Sequence, residues 1–309
     1  MRHTAILALL LLHPAAARAR TLATLDTPGY AQSVAIEGRR AYVADGDAGL
    51  LIVDVSHPES PTPLGRLALP GFAWDVAVEG SHAFVAGGSS GVHVIDVGDP
   101  RNPREIAVYA TPNFALALAV DADVVFVADR LSGLEIVDAS DPAHPRHLGG
   151  LDTPGAALGI ALAGPLAFIA DGDRGLRIAD VSDPSSPRSL GGIDTPGGAF
   201  DVTVSRSVAY VADERSGTRI LDVSDPSSPQ EIGAYDARDS VHGVAVKDQR
   251  LFTAVHGVGV RVLDVSDPKR PDVIAELETP GEAWRIALAH GLVYVADGSA
   301  GLVILDPSD

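Results

Sequence analysis

The chain contains no cysteine. That excludes disulfides, a thiol nucleophile and a lipid-modified N-terminal Cys, and leaves stability to packing and closure. Aromatic residues make up only 5% of it, against 46% hydrophobic residues overall, so a core must be built mostly from Val, Ile, Leu and Ala. No stretch carries sustained helical periodicity, and therefore no phosphate-binding Gly loop precedes a helix; no Ser stands in a nucleophile elbow. Positive charge is scarce: 23 Lys and Arg stand against 41 Asp and Glu, a net charge of −18. So acidic a surface disfavours nucleic acid and anionic membranes, which need positive potential. It suits solubility outside the cell, and also a cationic partner or divalent ions.

Apolar runs long enough to be a leader or a membrane span are confined to the N-terminus. Arg2 supplies a short basic region, Ala5 to Leu12 an apolar stretch, and Ala17-Arg18-Ala19 a small-x-small cleavage site. The expectation is a signal peptide over residues 1–19, too short for a finished membrane helix, followed by a single domain over 20–309. A buried N-terminal helix is the other reading of the same residues. Export to the periplasm, the medium or the cell surface follows from the first, with no membrane insertion.

What the chain has in abundance is a period. Asp54, Asp96, Asp138, Asp180, Asp222, Asp264 and Asp306 stand 42 residues apart (54 to 96, 96 to 138 and onward) with no insertion anywhere. Such regularity marks a repeat architecture. One unit, from Thr27 to Ala68, reads as TPG, then SVAI (Ser33 to Ile36), a Glu37-Gly38 turn, AYVAD (Ala41 to Asp45), a Gly-Asp-Ala-Gly turn, LLIVDV (Leu50 to Val55), SHPESP, and PLGRLA (Pro63 to Ala68). Four short aliphatic runs bounded by Gly, Pro, Asp and Ser are the strands of one propeller blade. Of the 22 prolines, 18 fall in three loop slots, which fixes the register. Glycine precedes the third strand in all seven repeats, as a hairpin with φ > 0 requires. The last repeat stops after its third strand, while a spare strand, TLATLD (Thr21 to Asp26), lies at the other end. The fold expected is all-β: a seven-bladed propeller whose N-terminal strand completes the last blade.

GLRIADVSDPSSP (Gly175 to Pro187) and AYVADERSGTRILDVSDPSSP (Ala209 to Pro229), with DTPG after the first, resemble the LVIVD repeat family of bacterial secreted and surface proteins. The resemblance covers nearly everything from Thr21 to Asp309. It implies a β-propeller outside the cytoplasm and no particular activity. No repeat carries the Gly-His…Trp-Asp pair of WD repeats; His57 replaces the usual Asp in the first repeat, and Pro307 follows directly on Asp306 in the last.

A residue present in every blade serves the fold, whereas a break in the symmetry points to function. The seven strand-ending aspartates therefore read as acceptors of backbone N–H groups at a turn, not as a glycosidase pair. Asp45-Gly46-Asp47 and Asp171-Gly172-Asp173 begin like a calcium loop but lack its later ligands, and Asp-Gly is ordinary hairpin composition. No cofactor is implied. Repeat six breaks the pattern most, with ARDSVHG in place of TPGGAFD and AVHGVG in its second hairpin, placing Arg238, Asp239, His242 and His256 on one face. A second position, at the mouth of each inner strand, reads Gln32, Trp74, Leu116, Leu158, Phe200, His242, Trp284, with Asp75 and Arg285 following the tryptophans. Packing between blades would explain these residues; so would binding of a sugar, cation or peptide along an arc of His242, Trp284, Gln32 and Trp74. The leading expectation is a binding or scaffold module for a protein, peptide or glycan. The alternative is a hydrolase or lyase at the channel mouth using His242, Asp75, Asp201 and Arg285.

Overall fold

The computed structural model describes residues 19–308; the expected leader, Ala19 apart, lies outside the described residues. Strand β1 (Arg20–Leu25) comes first, and blade one then runs β2 (Ser33–Glu37), β3 (Arg40–Ala44), β4 (Leu50–Asp54) and β5 (Thr62–Leu67). These four form one antiparallel sheet, and the same pattern repeats to give seven four-stranded sheets. Blade seven is completed by β1, which pairs with Leu302–Asp306 from Arg20 opposite Asp306 to Leu25 opposite Leu302. The ring therefore closes as the split last repeat predicts.

The first strand of every blade lies innermost. Alternation along the second and third strands feeds two cores at once. Ala41, Val43, Leu51 and Val53 pack toward blade seven, while Tyr42, Ala44, Leu50 and Ile52 pack toward blade two. Seven apolar clusters result, one per seam. Both faces of the middle strands are thus largely buried, and so they read as near-continuous apolar runs, broken in the third strand by His93, Glu135, Arg177, Arg219 and Arg261 at one position. The fourth strand carries a recurrent bulge: Ile52 faces Gly65 but Val53 faces Pro63, leaving Leu64 as the extra residue.

Symmetric residues do local structural work. All seven strand-ending aspartates accept the backbone N–H two residues on, at 2.8–3.0 Å. The Ser140 hydroxyl and N–H, with Arg146, hold Asp138 down to about 2. The seven glycines before the third strand all have positive φ. At Gly217 a Cβ would also stand 2.0 Å from the Tyr235 carbonyl oxygen, so no other residue fits.

A second symmetric device ties the TPG loops to the hairpins between strands two and three. Thr27 Oγ1 donates to Asp45 Oδ1 at 2.5 Å, and Gly29 N donates to Oδ2 at 2.9 Å. The clip recurs from Thr153 and Gly155 to Asp171, from Thr195 and Gly197 to Asp213, and from Thr279 and Gly281 to Asp297. These aspartates are fully buried, and burial pushes Asp45, Asp171 and Asp297 up from the usual carboxylate range. In the DGD turns the leading carboxylate is therefore committed to its own loop.

Candidate functional site

The loops tied by these clips form one end of the ring, and the mouth of the channel opens there. Each mouth residue is held by its own blade: the N–H of Trp74 donates to the Ala86 carbonyl at 2.8 Å, that of Trp284 to Ala296 at 2.9 Å, and Gln32, Leu116, Leu158 and Phe200 do the same. A bond to the rigid second strand fixes where the side chain points. Six of the seven mouth residues, Gln32, Trp74, Leu116, Leu158, Phe200 and Trp284, line a single cavity of about 320 Å³. The ring is narrow enough that they surround one space, in place of the arc the sequence suggests. Phe114 and Arg130 join them from the rim, and Arg285 from below.

The aromatic walls are braced from behind. Trp74 lies 4.7 Å from Phe72 and 6.0 Å from Phe114, ring centre to ring centre. Trp284 donates its indole N–H to the Tyr30 hydroxyl at 3.0 Å, and that hydroxyl in turn donates to Glu282. The Trp74 indole N–H, by contrast, is buried and has no partner among the described residues. Arg130, exposed at the rim, sits 6.0 Å over the Phe114 ring.

One level below, the first residues of the inner strands form the channel wall. Arg285 of blade seven reaches across it to Asp201 of blade five (Nη1 to Oδ1, 3.0 Å) and to the Leu158 carbonyl of blade four (3.3 Å). Gly159 and Gly243 are the wall residues of blades four and six. A Cβ there would meet the Phe200 and Trp284 carbonyl oxygens at 2.6 and 2.3 Å. Asp201 also accepts the Val244 N–H, and Asp75 accepts the Ser33 hydroxyl and the Val76 and Leu118 N–H groups. Burial raises Asp201, with Arg285 opposing; burial pulls Arg285 down, but Asp201 and Asp75 outweigh it and hold it above its ordinary value. Arg285 is thus a charged plug that floors the cavity. Both carboxylates are spent on backbone N–H groups, Ser33 and Arg285, as wall structure; neither lines the cavity.

His242 is the mouth residue that does not line the cavity. The inner strand of blade six (Val241–Lys247) starts two residues earlier than its counterparts, with a register shift between Val241 and Gly243. The imidazole stacks on Trp284 at 4.5 Å and meets His256 edge-on at 5.2 Å. Nδ1 of each histidine is buried without a hydrogen-bond partner among the described residues. Arg238 and Asp239 are exposed, and no hydrogen bond or ion pair joins them to either histidine among the described residues. The sequence cluster thus separates into a half-buried His–His–Trp stack and two surface charges. Neither is paired for acid–base work. No group of three or more His, Cys, Asp or Glu that could hold a metal occurs among the described residues.

Burial, and secondarily the neighbouring His256, lowers His242 to about 4. Its folded value lies below the ordinary one of about 6.5, so the unfolded chain takes the proton first. The fold is therefore weakened as pH falls from about 6.5 toward 4. His242→Phe, which places in blade six the residue blade five carries at Phe200, should remove that penalty. Denaturation at pH 7 and pH 4.5 should show the variant gaining about 2 kcal/mol on the parent in acid. Equal acid sensitivity would contradict a half-buried imidazole held neutral.

A family model described as LVIVD repeat matches residues 28–68, 70–111, 115–153, 154–195, 196–237 and 280–309. The stretch it leaves between 237 and 280 is blade six, the blade that carries His242. No curated protein matches the sequence. Among solved structures the chain is similar to the WD40 repeats of RRP9 (TM-score 0.78, 10% identity, 95% of this chain and 98% of that one). It is also similar to a chain of a mitotic checkpoint complex (0.77, 14%, all of both chains) and to the computationally designed Ika8 protein (0.67, 9%, 92% and 99%). At such identities the likeness is one of fold.

Proposed function

This chain belongs to the LVIVD repeat family, and from that premise we propose that it is an exported binding module which grips a peptide or glycan segment of a partner at the channel mouth. The observation that carries the reading is the aromatic-walled cavity, built from six equivalent positions of a rigid ring and floored by Arg285. Its volume, about 320 Å³, lies at the small end of ligand pockets and suits one sugar ring or one large side chain, with the rest of the partner lying across the loops. Flat indole faces favour a planar or pyranose face. The polar groups at the cavity are mainly donors: Gln32, Arg130 and the Arg285 N–H groups not used by Asp201 and Leu158. An acceptor-rich or anionic end on the ligand is therefore favoured. Export rests on the leader-like residues Arg2, Ala5 to Leu12 and Ala17-Arg18-Ala19.

The test is the melting temperature of the chain from Arg20 onward against sugars and short peptides. A ligand at a hundredfold excess over its dissociation constant should add about 2.7 kcal/mol. The shift should vanish in Trp74→Ala and Trp284→Ala. A shift of full size in both variants would place binding elsewhere.

A further inference from the structure

Blade two lacks the Thr and the Asp of the clip between loop and hairpin while keeping its glycine, Gly71. Leu69 stands where Thr27 stands in blade one, Gly87 replaces the buried aspartate, and His93 occupies a position that is Leu51, Glu135, Arg177, Arg219, Arg261 and Val303 in the other blades. The imidazole fills the space of the missing carboxylate: a Cβ on Gly87 would lie 2.5 Å from His93 Nε2 and 2.2 Å from Ser90 Oγ. Three groups line up as a result. Ser90 Oγ is 2.7 Å from His93 Nε2, and His93 Nδ1 is 2.8 Å from Glu105 Oε2. His93 is fully buried, Ser90 half-buried, and Glu105 partly exposed.

We propose that Ser90, His93 and Glu105 form a nucleophilic triad that cleaves small, accessible esters, a site separate from the channel mouth. The order of atoms is the one such chemistry requires. Nδ1–H donates to a carboxylate, which fixes the tautomer and leaves Nε2 facing the serine hydroxyl as its base. The hydroxyl also lies 2.8 Å from the Gly87 carbonyl and 2.9 Å from that of Pro70, with Nε2 the nearest of the three acceptors. Loss of the aspartate supplies a further part. In blade one the Gly29 N–H is consumed by Asp45, whereas the equivalent Gly71 N–H has no acceptor among the described residues. Gly71 borders the serine, since a Cβ on it would stand 3.0 Å from Ser90 Oγ, and it is exposed.

The chemistry balances without any further reactant but water. Ser90 Oγ attacks the ester carbonyl carbon while its proton passes to His93 Nε2, and the carbonyl oxygen takes up negative charge beside the Gly71 N–H. The intermediate expels the alcohol oxygen, which leaves with the proton from Nε2. Water then attacks the acyl-serine by the same route, releasing the carboxylic acid and restoring Ser90.

The test is labelling of the folded chain by a fluorophosphonate, read by intact mass and peptide mapping, alongside turnover of p-nitrophenyl acetate. A single adduct on Ser90 is expected, absent in Ser90→Ala and slowed about 100-fold or more in His93→Gln. Because His93 is buried and its variant can misfold, Glu105→Gln on the edge of the cluster is the second probe. It should fold as the parent does and slow labelling while shifting its pH profile. Lys269→Gln, in an exposed turn of blade six, should label at the parental rate, and because the readout is an adduct on Ser90, failure here is distinct from failure to bind at the channel mouth. No adduct on Ser90, or labelling at the parental rate in Glu105→Gln, would overturn the proposal and leave the three residues as a polar replacement for the clip.

Discussion

Arg285→Met should destabilise the ring by about 3–5 kcal/mol, the usual cost of stranding one partner of a buried ion pair. Asp201 is only 7% exposed and would keep its charge with Asp75 nearby and no cation opposite. Asp201→Asn should cost less, because Arg285 still faces Asp75 and reaches the cavity, its side chain 16% exposed. The double variant should recover most of the loss, since a pair replaced together leaves no orphan. pH gives the sign. With Arg285 gone, the folded value of Asp201 rises further above its unfolded one. The folded state then takes up the proton first, and the deficit of Arg285→Met shrinks as pH falls. Urea denaturation of the three variants at pH 5 and pH 7.5 measures all of this. A deficit equal in both single variants, and unchanged by pH, would mean that the plug carries no buried charge.

The second large effect is expected from removing β1. A chain beginning at Asp26 loses five paired residues against Leu302–Asp306, and with them Leu22 and Leu25 from the seam between blades seven and one. Two partly buried leucines and a row of ladder hydrogen bonds amount to about 3–6 kcal/mol. More than stability changes, because the third strand of blade seven becomes an open edge able to pair with another chain. The truncated chain should melt lower and elute as dimers or larger species at concentrations where the parent is monodisperse. Adding a peptide of residues 20–26 in excess should reverse both. Unaltered melting and elution would show that the ring does not depend on this closure.

Most of the fold is legible in the sequence because its determinants are local and repeated. Glycine at positions 49, 91, 133, 175, 217, 259 and 301 is needed for a positive φ seven times over, and the strand-ending aspartates each serve a turn two residues long. The split blade is equally plain, since a strand is missing at one end and present at the other. The site is legible in part. The mouth positions could be read from the period alone, and six of them meet in one cavity. His242 packs against Phe200 and Trp284 and does not line the cavity, a contact the spacing of the repeat does not reveal. Arg130 and Phe114 were missed for a different reason: they come from loops, outside the mouth position. The span of Arg285 from blade seven to blade five depends on ring diameter, which no local pattern encodes. Blade two held a signal that went unread. Gly87 for Asp is a break in symmetry as clear as those in blade six, but His93 stands at a position that varies from blade to blade, and Ser90 and Glu105 are unremarkable in sequence.

The central claim is that the channel mouth binds a ligand, and the chain carries its own reporter. It has two tryptophans, Trp74 and Trp284, and both line the cavity. Intrinsic fluorescence of the parent and of each single Trp→Phe variant, titrated with the sugars and peptides that raise the melting temperature, reads occupancy directly. A saturable change in both single-tryptophan variants, with the same dissociation constant as the thermal shift, is the result predicted. A ligand that stabilises the protein while leaving both tryptophan signals unchanged would contradict it.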